Sequence, residues 1–180
     1  MKAKLVCIDT NICIWGIKSQ AKPGQTGEAE KIDRANKLFS DLDLDGVRIC
    51  LPAIVLAEIL VKEVESPDFE QFKNLIVLHR PILTFSTPCA IRHAKFIAGY
   101  IGKDNKRRAE LMASPGYTKN MLRADLQIIS TMLAYKINTL YTHEVQLTSI
   151  GKEAGLTVLT LPELSKPPTQ PPPDPQQRIF

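Results

Sequence analysis

The chain has 180 residues, 44% of them hydrophobic and 23% charged, with a formal net charge of +4. That length suits one domain with a sizeable core, and no apolar stretch approaches the roughly 20 residues of a membrane span or the pattern of a signal peptide, so a cytoplasmic protein is expected. Cys7, Cys13, Cys50 and Cys89 sit among Val, Ile, Leu and Pro without zinc-type spacing and read as reduced core thiols.

In chain order, residues 4–8 read as a short buried strand that stops at Asp9, before Thr10 and Asn11. A turn accounts for the Thr-Asn pair, but a carboxylate flanked so closely by buried-type residues needs a partner or a purpose. Residues 18–28 (KSQAKPGQTGE) form a polar, glycine-containing loop, and Ala29 to Phe39 a helical pattern. Residues 41–46 (DLDLDG) match the opening of an EF-hand calcium loop, yet its twelfth position, normally a bidentate glutamate, is Pro52; a helix-to-strand turn is expected instead.

Val47 to Leu51 is a second strand, and Pro52 stands at the start of a helix over Ala53 to Glu65. Glu58 is the charged side chain of ICLPAIVLAEILV, with Ile54, Val55 and Val61 at helical spacing around it. It therefore lies on an apolar helix face, or on a narrow wet edge of one. Further helices are expected over Phe69 to Leu78 and Cys89 to Ile101.

Residues 103–123 carry six Lys and Arg side chains against two acids, the whole net excess of the chain, with Tyr117 among them. Such an arm, a loop or a frayed helix end, suits a polyanion such as RNA or DNA, or else is a solvated face. In the helix over Met121 to Lys136, Asp125 shares a stripe with Met121, Ile129 and Met132; a capping or helix-dipole role is the alternative. A third strand over Asn138 to Thr142 is followed at once by Glu144, then a helix over Val145 to Ala154 and a fourth strand over Leu156 to Leu161. From Pro162 onward the chain holds seven of its thirteen prolines, so residues 162–180 are expected to be an extended or disordered tail beyond a domain of residues 1–161.

This alternation predicts an α/β fold with a parallel sheet covered on both faces. Asp9 and Glu144, each just past a strand end, then share the carboxyl-end edge of the sheet. Glu58 reaches the same crevice, and so does Asp125 if its helix starts there. Converging carboxylates repel one another unless a cation neutralises them, and hard oxygen ligands select Mg²⁺ or Mn²⁺. Beside a basic arm, phosphodiester hydrolysis is the natural chemistry.

The order Asp9-Thr10-Asn11, Glu58, ADLQIIS at 124–130 and Thr142-His143-Glu144 resembles the acidic motifs of PIN-domain ribonucleases, VapC-type toxins of toxin-antitoxin systems in particular. The resemblance spans roughly residues 4–161. It implies a three-layer α/β/α sandwich with a central, mainly parallel sheet, and cleavage of RNA with Mg²⁺ or Mn²⁺. Asp9 and Asp125 would be principal metal ligands, Glu58 a ligand or an organiser of water, and Glu144 a further ligand. Thr10, Asn11 and Thr142 match accessory positions that orient carboxylates by hydrogen bonds.

Lys106, Arg107, Arg108, Lys119 and Arg123 are the candidate RNA contacts, and the expected partners are a protein antitoxin and a second copy of the chain. The last motif departs from the family pattern: Glu144, Gln146 and Leu147 stand where Asp or Asn and further acids are usual. That departure leaves two other readings, a non-catalytic PIN scaffold for RNA or protein and a nuclease of RNA processing or defence without an antitoxin.

Overall fold

β1 (Leu5–Ile8) and β2 (Arg48–Pro52) are nearly continuous apolar runs because both faces of their sheet are covered. They pair in parallel, with Cys7 opposite Cys50. The computed structural model describes residues 4–18, 27–100 and 106–164. Within them β3 (Ile82–Leu83), β4 (Thr139–Tyr141) and β5 (Thr157–Leu159) complete a five-stranded, wholly parallel sheet in the order β3-β2-β1-β4-β5.

The helices are α1 (Thr10–Lys18), α2 (Glu28–Leu44), α3 (Ala53–Val61), α4 (Phe69–His79), α5 (Thr87–Tyr100), α6 (Lys106–Met112), α7 (Lys119–Tyr135) and α8 (Val145–Glu153). α1 packs on α2, while α5 and α8 pack on α7; α3 touches both α1 and α7 and bridges the two groups. The chain moves from β1 outward through β2 to β3, then returns across to β4 and β5 on the other side of β1. Right-handed crossovers in opposite directions place their helices on opposite faces, which makes the three layers. They also leave a crevice outside the carboxyl ends of β1 and β4, where the strand order reverses.

The core lies between sheet and helices. Ile8, Ile49, Leu51 and Leu140 from the strands meet Ile12, Ile129, Met132 and Ile150 from the helices, all of them fully buried. All four cysteines are free and buried, as expected of core thiols.

Three elements escape the sequence pattern. α1 begins at Thr10 where a turn alone was expected, β3 is two residues long and gives no periodicity to detect, and part of the basic arm is the seven-residue helix α6. α3 stops at Val61 rather than Glu65, because Lys62 and Glu63 turn back onto Ile59 and Leu60 with tighter hydrogen bonds. The DLDLDG stretch ends α2 and turns into β2 through Gly46, whose φ of 65° suits a residue without a side chain. No described helix is long and apolar enough to cross a membrane.

Residues 19–26 of the polar loop, 102–105 of the basic arm and 165–180 of the proline-rich tail lie outside the described residues. Just before that tail, Leu161 is buried in the core, and Arg34 of α2 donates to the carbonyls of Leu161 and Pro162 and to Glu163. The chain is thus held to α2 as far as Glu163.

Candidate active site

Asp9 terminates β1 and caps the next helix. Its backbone N–H donates to Tyr141 O (3.1 Å), joining the ends of the two strands at the crevice, and its Oδ1 accepts from the Ile12 N–H (2.8 Å). Oδ2 accepts from the Thr142 hydroxyl (2.5 Å) and from the His143 N–H (3.3 Å). Burial pushes this carboxyl above its ordinary range even though all these donors favour the charged form.

The two residues after Asp9 each reach a different wall of the crevice. Thr10 Oγ1 donates to Glu58 Oε2 (2.5 Å) on α3, and Asn11 Nδ2 donates to Glu144 Oε1 (2.9 Å) at the start of α8. Glu144 is the N-cap residue of α8 by position, but its carboxylate makes no cap hydrogen bond. Its N–H donates to Thr142 Oγ1 (3.0 Å), so one hydroxyl links Asp9 to Glu144. Burial raises the Glu144 carboxyl, Asp9 and Glu58 raise it further, and Lys62 opposes them.

Glu58 is half-buried, with Val55 and Ile59 in the core behind it. Val61, expected on the same apolar face, is 74% exposed and lines the crevice instead. The apolar run of α3 therefore supplies a cavity wall as well as core, which is why a carboxylate can stand in it.

α7 precedes β4 and runs against the strand direction, so its first turns arrive at the carboxyl-end edge. Thr118 is its N-cap and accepts the Met121 N–H (3.2 Å). The capping role named as the alternative for Asp125 is thus taken by Thr118, and Asp125 lies two turns in, 5% exposed. Its Oδ2 accepts the Tyr117 hydroxyl at 2.5 Å. Burial raises the Asp125 carboxyl to about 7; Tyr117 works against this, and Glu144, Glu58 and Asp9 add to it.

The four carboxylates line one cavity of about 520 Å³ with Thr10, Asn11 and Lys62. Their mutual repulsion and hard oxygen donors fit a divalent cation in kind. Among the described residues, however, no three His, Cys, Asp or Glu side chains are gathered closely enough to hold one ion. Each acid accepts a hydrogen bond from a neutral side chain, Glu58 and Glu144 from neighbouring residues of α1, Asp9 from Thr142 and Asp125 from Tyr117.

The expected basic interface divides. Arg108, Lys119 and Arg123 line a second cleft of about 280 Å³ with His93 and Asn120, behind α7 from the acidic cavity. Lys106 is exposed on α6. Arg107 is engaged within the protein: its guanidinium pairs with Glu110 and Glu153 and donates to Ser149 and to Tyr100 Oη, clasping α6 to α8. Tyr117, in the same arm, is 7% exposed and its hydroxyl is turned onto Asp125.

No family model and no curated protein matches the chain. Solved structures do. One is VapBC2 from Rickettsia felis bound to a DNA fragment from its promoter, with a TM-score of 0.56 and 21% identity over 87% of this chain and 98% of that one. Another is FitAB bound to an IR36 DNA fragment, with a TM-score of 0.57 and 18% identity over 89% and 98%. A third is DNA-bound VapBC from Salmonella typhimurium, with a TM-score of 0.55 and 17% identity over 88% and 98%. The fold is PIN-like.

In this PIN-like fold two residues beside the acids escaped the sequence reading of the site: Lys62, which lines the cavity, and Tyr117, which donates to Asp125. Lys62 stands four residues after Glu58, a spacing that puts both on one helix face. Tyr117 follows Pro115-Gly116, the pair favoured in a type II turn; Gly116 has a φ of 78° and the Tyr117 N–H donates to Ser114 O (3.1 Å). That turn, followed by a Thr cap, was the signal that Tyr117 folds back onto its own helix.

Proposed function

We propose that the chain is a metal-dependent endoribonuclease, the toxin of a toxin-antitoxin pair. The observation that carries this reading is the convergence of Asp9, Glu58, Asp125 and Glu144 on one cavity at the strand-order reversal of a PIN-like sheet. Asp9 and Asp125 would hold Mg²⁺ or Mn²⁺, with Glu58 and Glu144 beside them. The bound ion would supply Lewis-acid stabilisation of the phosphodiester and an activated water.

The chain's own groups do the rest. Thr142, Thr10, Asn11 and Tyr117 each fix one carboxylate by a donated hydrogen bond, so that negative oxygens face a cavity with few competing cations. Arg108, Lys119 and Arg123 make no ion pair among the described residues and offer positive charge for the RNA backbone on the far side of α7. The structural neighbours are toxin-antitoxin complexes captured with DNA, which supports a protein antitoxin as partner. A second copy of the chain is part of the same proposal.

Incubation of the pure protein with structured RNA and Mg²⁺ tests the activity beside Asp9→Asn and Asp125→Asn. Cleavage by the parent alone supports it; equal cleavage by all three, or by none across several divalent ions, sinks it. The scaffold reading draws on the separation of the four acids, which are not gathered for an ion. A scaffold would gain no thermal stability from Mn²⁺, whereas a working site gains it by linkage.

A further inference from the structure

The hydrogen bond from Tyr117 to Asp125 crosses from the end of the α6–α7 turn to the second turn of α7. Both partners are almost fully buried, the hydroxyl donates at 2.5 Å, and Asp125 still lines the acidic cavity. A carboxylate side chain turns freely about its last bond unless something holds one oxygen. Tyr117 supplies that hold from a rigid aromatic ring seated in the core cluster.

The tyrosine is itself held in two ways. The Ser114 to Tyr117 turn closes with a backbone hydrogen bond, and Thr118 caps the helix that follows. On the other side of the turn, α6 is clasped to α8 through Arg107, whose guanidinium meets Ser149 and Glu153. The segment from Lys106 to Thr118 is thereby fixed at both ends, with Tyr117 as its contact to Asp125.

We propose that Tyr117 is a positioning residue for the metal site: it fixes Oδ2 of Asp125 so that the other oxygen is presented to a divalent cation. This rests on the metal-site reading above. Among the described residues the other carboxylates take their side-chain donors from Thr and Asn at strand ends or the first turn of α1, whereas Asp125 takes its donor from the arm. The arm therefore has a function at the acidic cavity that its charge alone does not suggest.

The test is Tyr117→Phe, which keeps the ring and deletes the hydroxyl, with Mn²⁺-dependent thermal stabilisation as the readout. The Mn²⁺ concentration giving half-maximal stabilisation is expected to rise roughly tenfold, the size of effect typical of groups that orient a metal ligand. In RNA cleavage kcat should fall with KM for RNA unchanged.

A purely structural tyrosine would lower the metal-free melting temperature and leave the Mn²⁺ midpoint where it was; that result overturns the proposal while the metal site stands. If the parent protein gains nothing from Mn²⁺, the metal-site reading fails, and the role of Tyr117 falls with it. A double-mutant cycle of Tyr117→Phe and Asp125→Ala in metal-free urea unfolding measures the contact itself, and zero coupling also overturns the proposal.

Discussion

Thr142 donates its hydroxyl to Asp9 Oδ2 at 2.5 Å, and both residues are buried at the ends of adjacent parallel strands. The Thr142 Oγ1 itself accepts from the N–H of Glu144, so removal of the hydroxyl strands a carboxylate and an amide together. Thr142→Val, which keeps the shape, should cost about 1–3 kcal/mol in urea unfolding, and Thr142→Ser should recover most of it. Equal stability of the Val and Ser variants would remove the hydroxyl from the account.

The raised carboxyls make the metal-free protein sensitive to pH in a definite direction. Asp125 is raised to about 7, and Asp9 and Glu144 are also raised. The folded state then holds these protons more tightly than the unfolded chain does, so their stabilisation is full below the unfolded values and is lost as pH rises through the folded ones. For Asp125 the window runs from roughly pH 4 to pH 7.

His143, lowered mainly by burial, works in the opposite sense over the upper part of that window. Asp125→Asn isolates the carboxyl from the histidine. The variant should be more stable than the parent at pH 8 in EDTA, with the difference shrinking toward pH 5. Parallel melting curves across this range would contradict the buried repulsion.

The split of the basic residues can be read from salt dependence. Replacing Arg108, Lys119 and Arg123 with Gln should weaken RNA binding and reduce the slope of log K against log salt by about 2, at roughly 0.7 per charge on a single strand. Arg107→Gln should leave that slope unchanged and instead lower stability, since its charge is engaged by Glu110 and Glu153. A shared effect on the slope would return Arg107 to the interface.

Arg34 of α2 holds Leu161, Pro162 and Glu163 by three hydrogen bonds. Arg34→Ala should cost about 1–3 kcal/mol, because charged donors leave two carbonyls behind. Faster amide exchange at Leu161 and Glu163, with protection elsewhere unchanged, would locate the loss. Unchanged exchange there would show that burial of Leu161 alone anchors the segment.

Much of the fold was legible because its signals are local. The apolar runs that became β1 and β2, Pro52 at the start of α3, and Ile129 and Met132 of the stripe on α7 each follow from periodicity and burial, whereas Met121 of that stripe is 40% exposed and lines the cavity. α1 was hidden because TNICIWGIK mixes a turn signal with an apolar run, and the cap that starts it is a carboxylate already read for another purpose. β3 was hidden because two residues carry no period.

The four acids and their order were likewise present in the sequence, since a carboxylate in an apolar context is conspicuous wherever the chain later goes. What each acid touches was not. Thr10 meets Glu58 across 48 positions and Asn11 meets Glu144 across 133, contacts set by strand order rather than by spacing. The division of the basic arm is of the same kind: charge counted along the chain cannot tell Arg107, clasped to α8, from Arg108, which lines a cleft.

Sequence alone determined which groups could bear the chemistry, because side-chain type and local polarity belong to each residue. Tertiary structure decided which oxygen is held, by whom, and how far apart the acids stand, because those depend on where parallel strands end and which helix turns face the crevice.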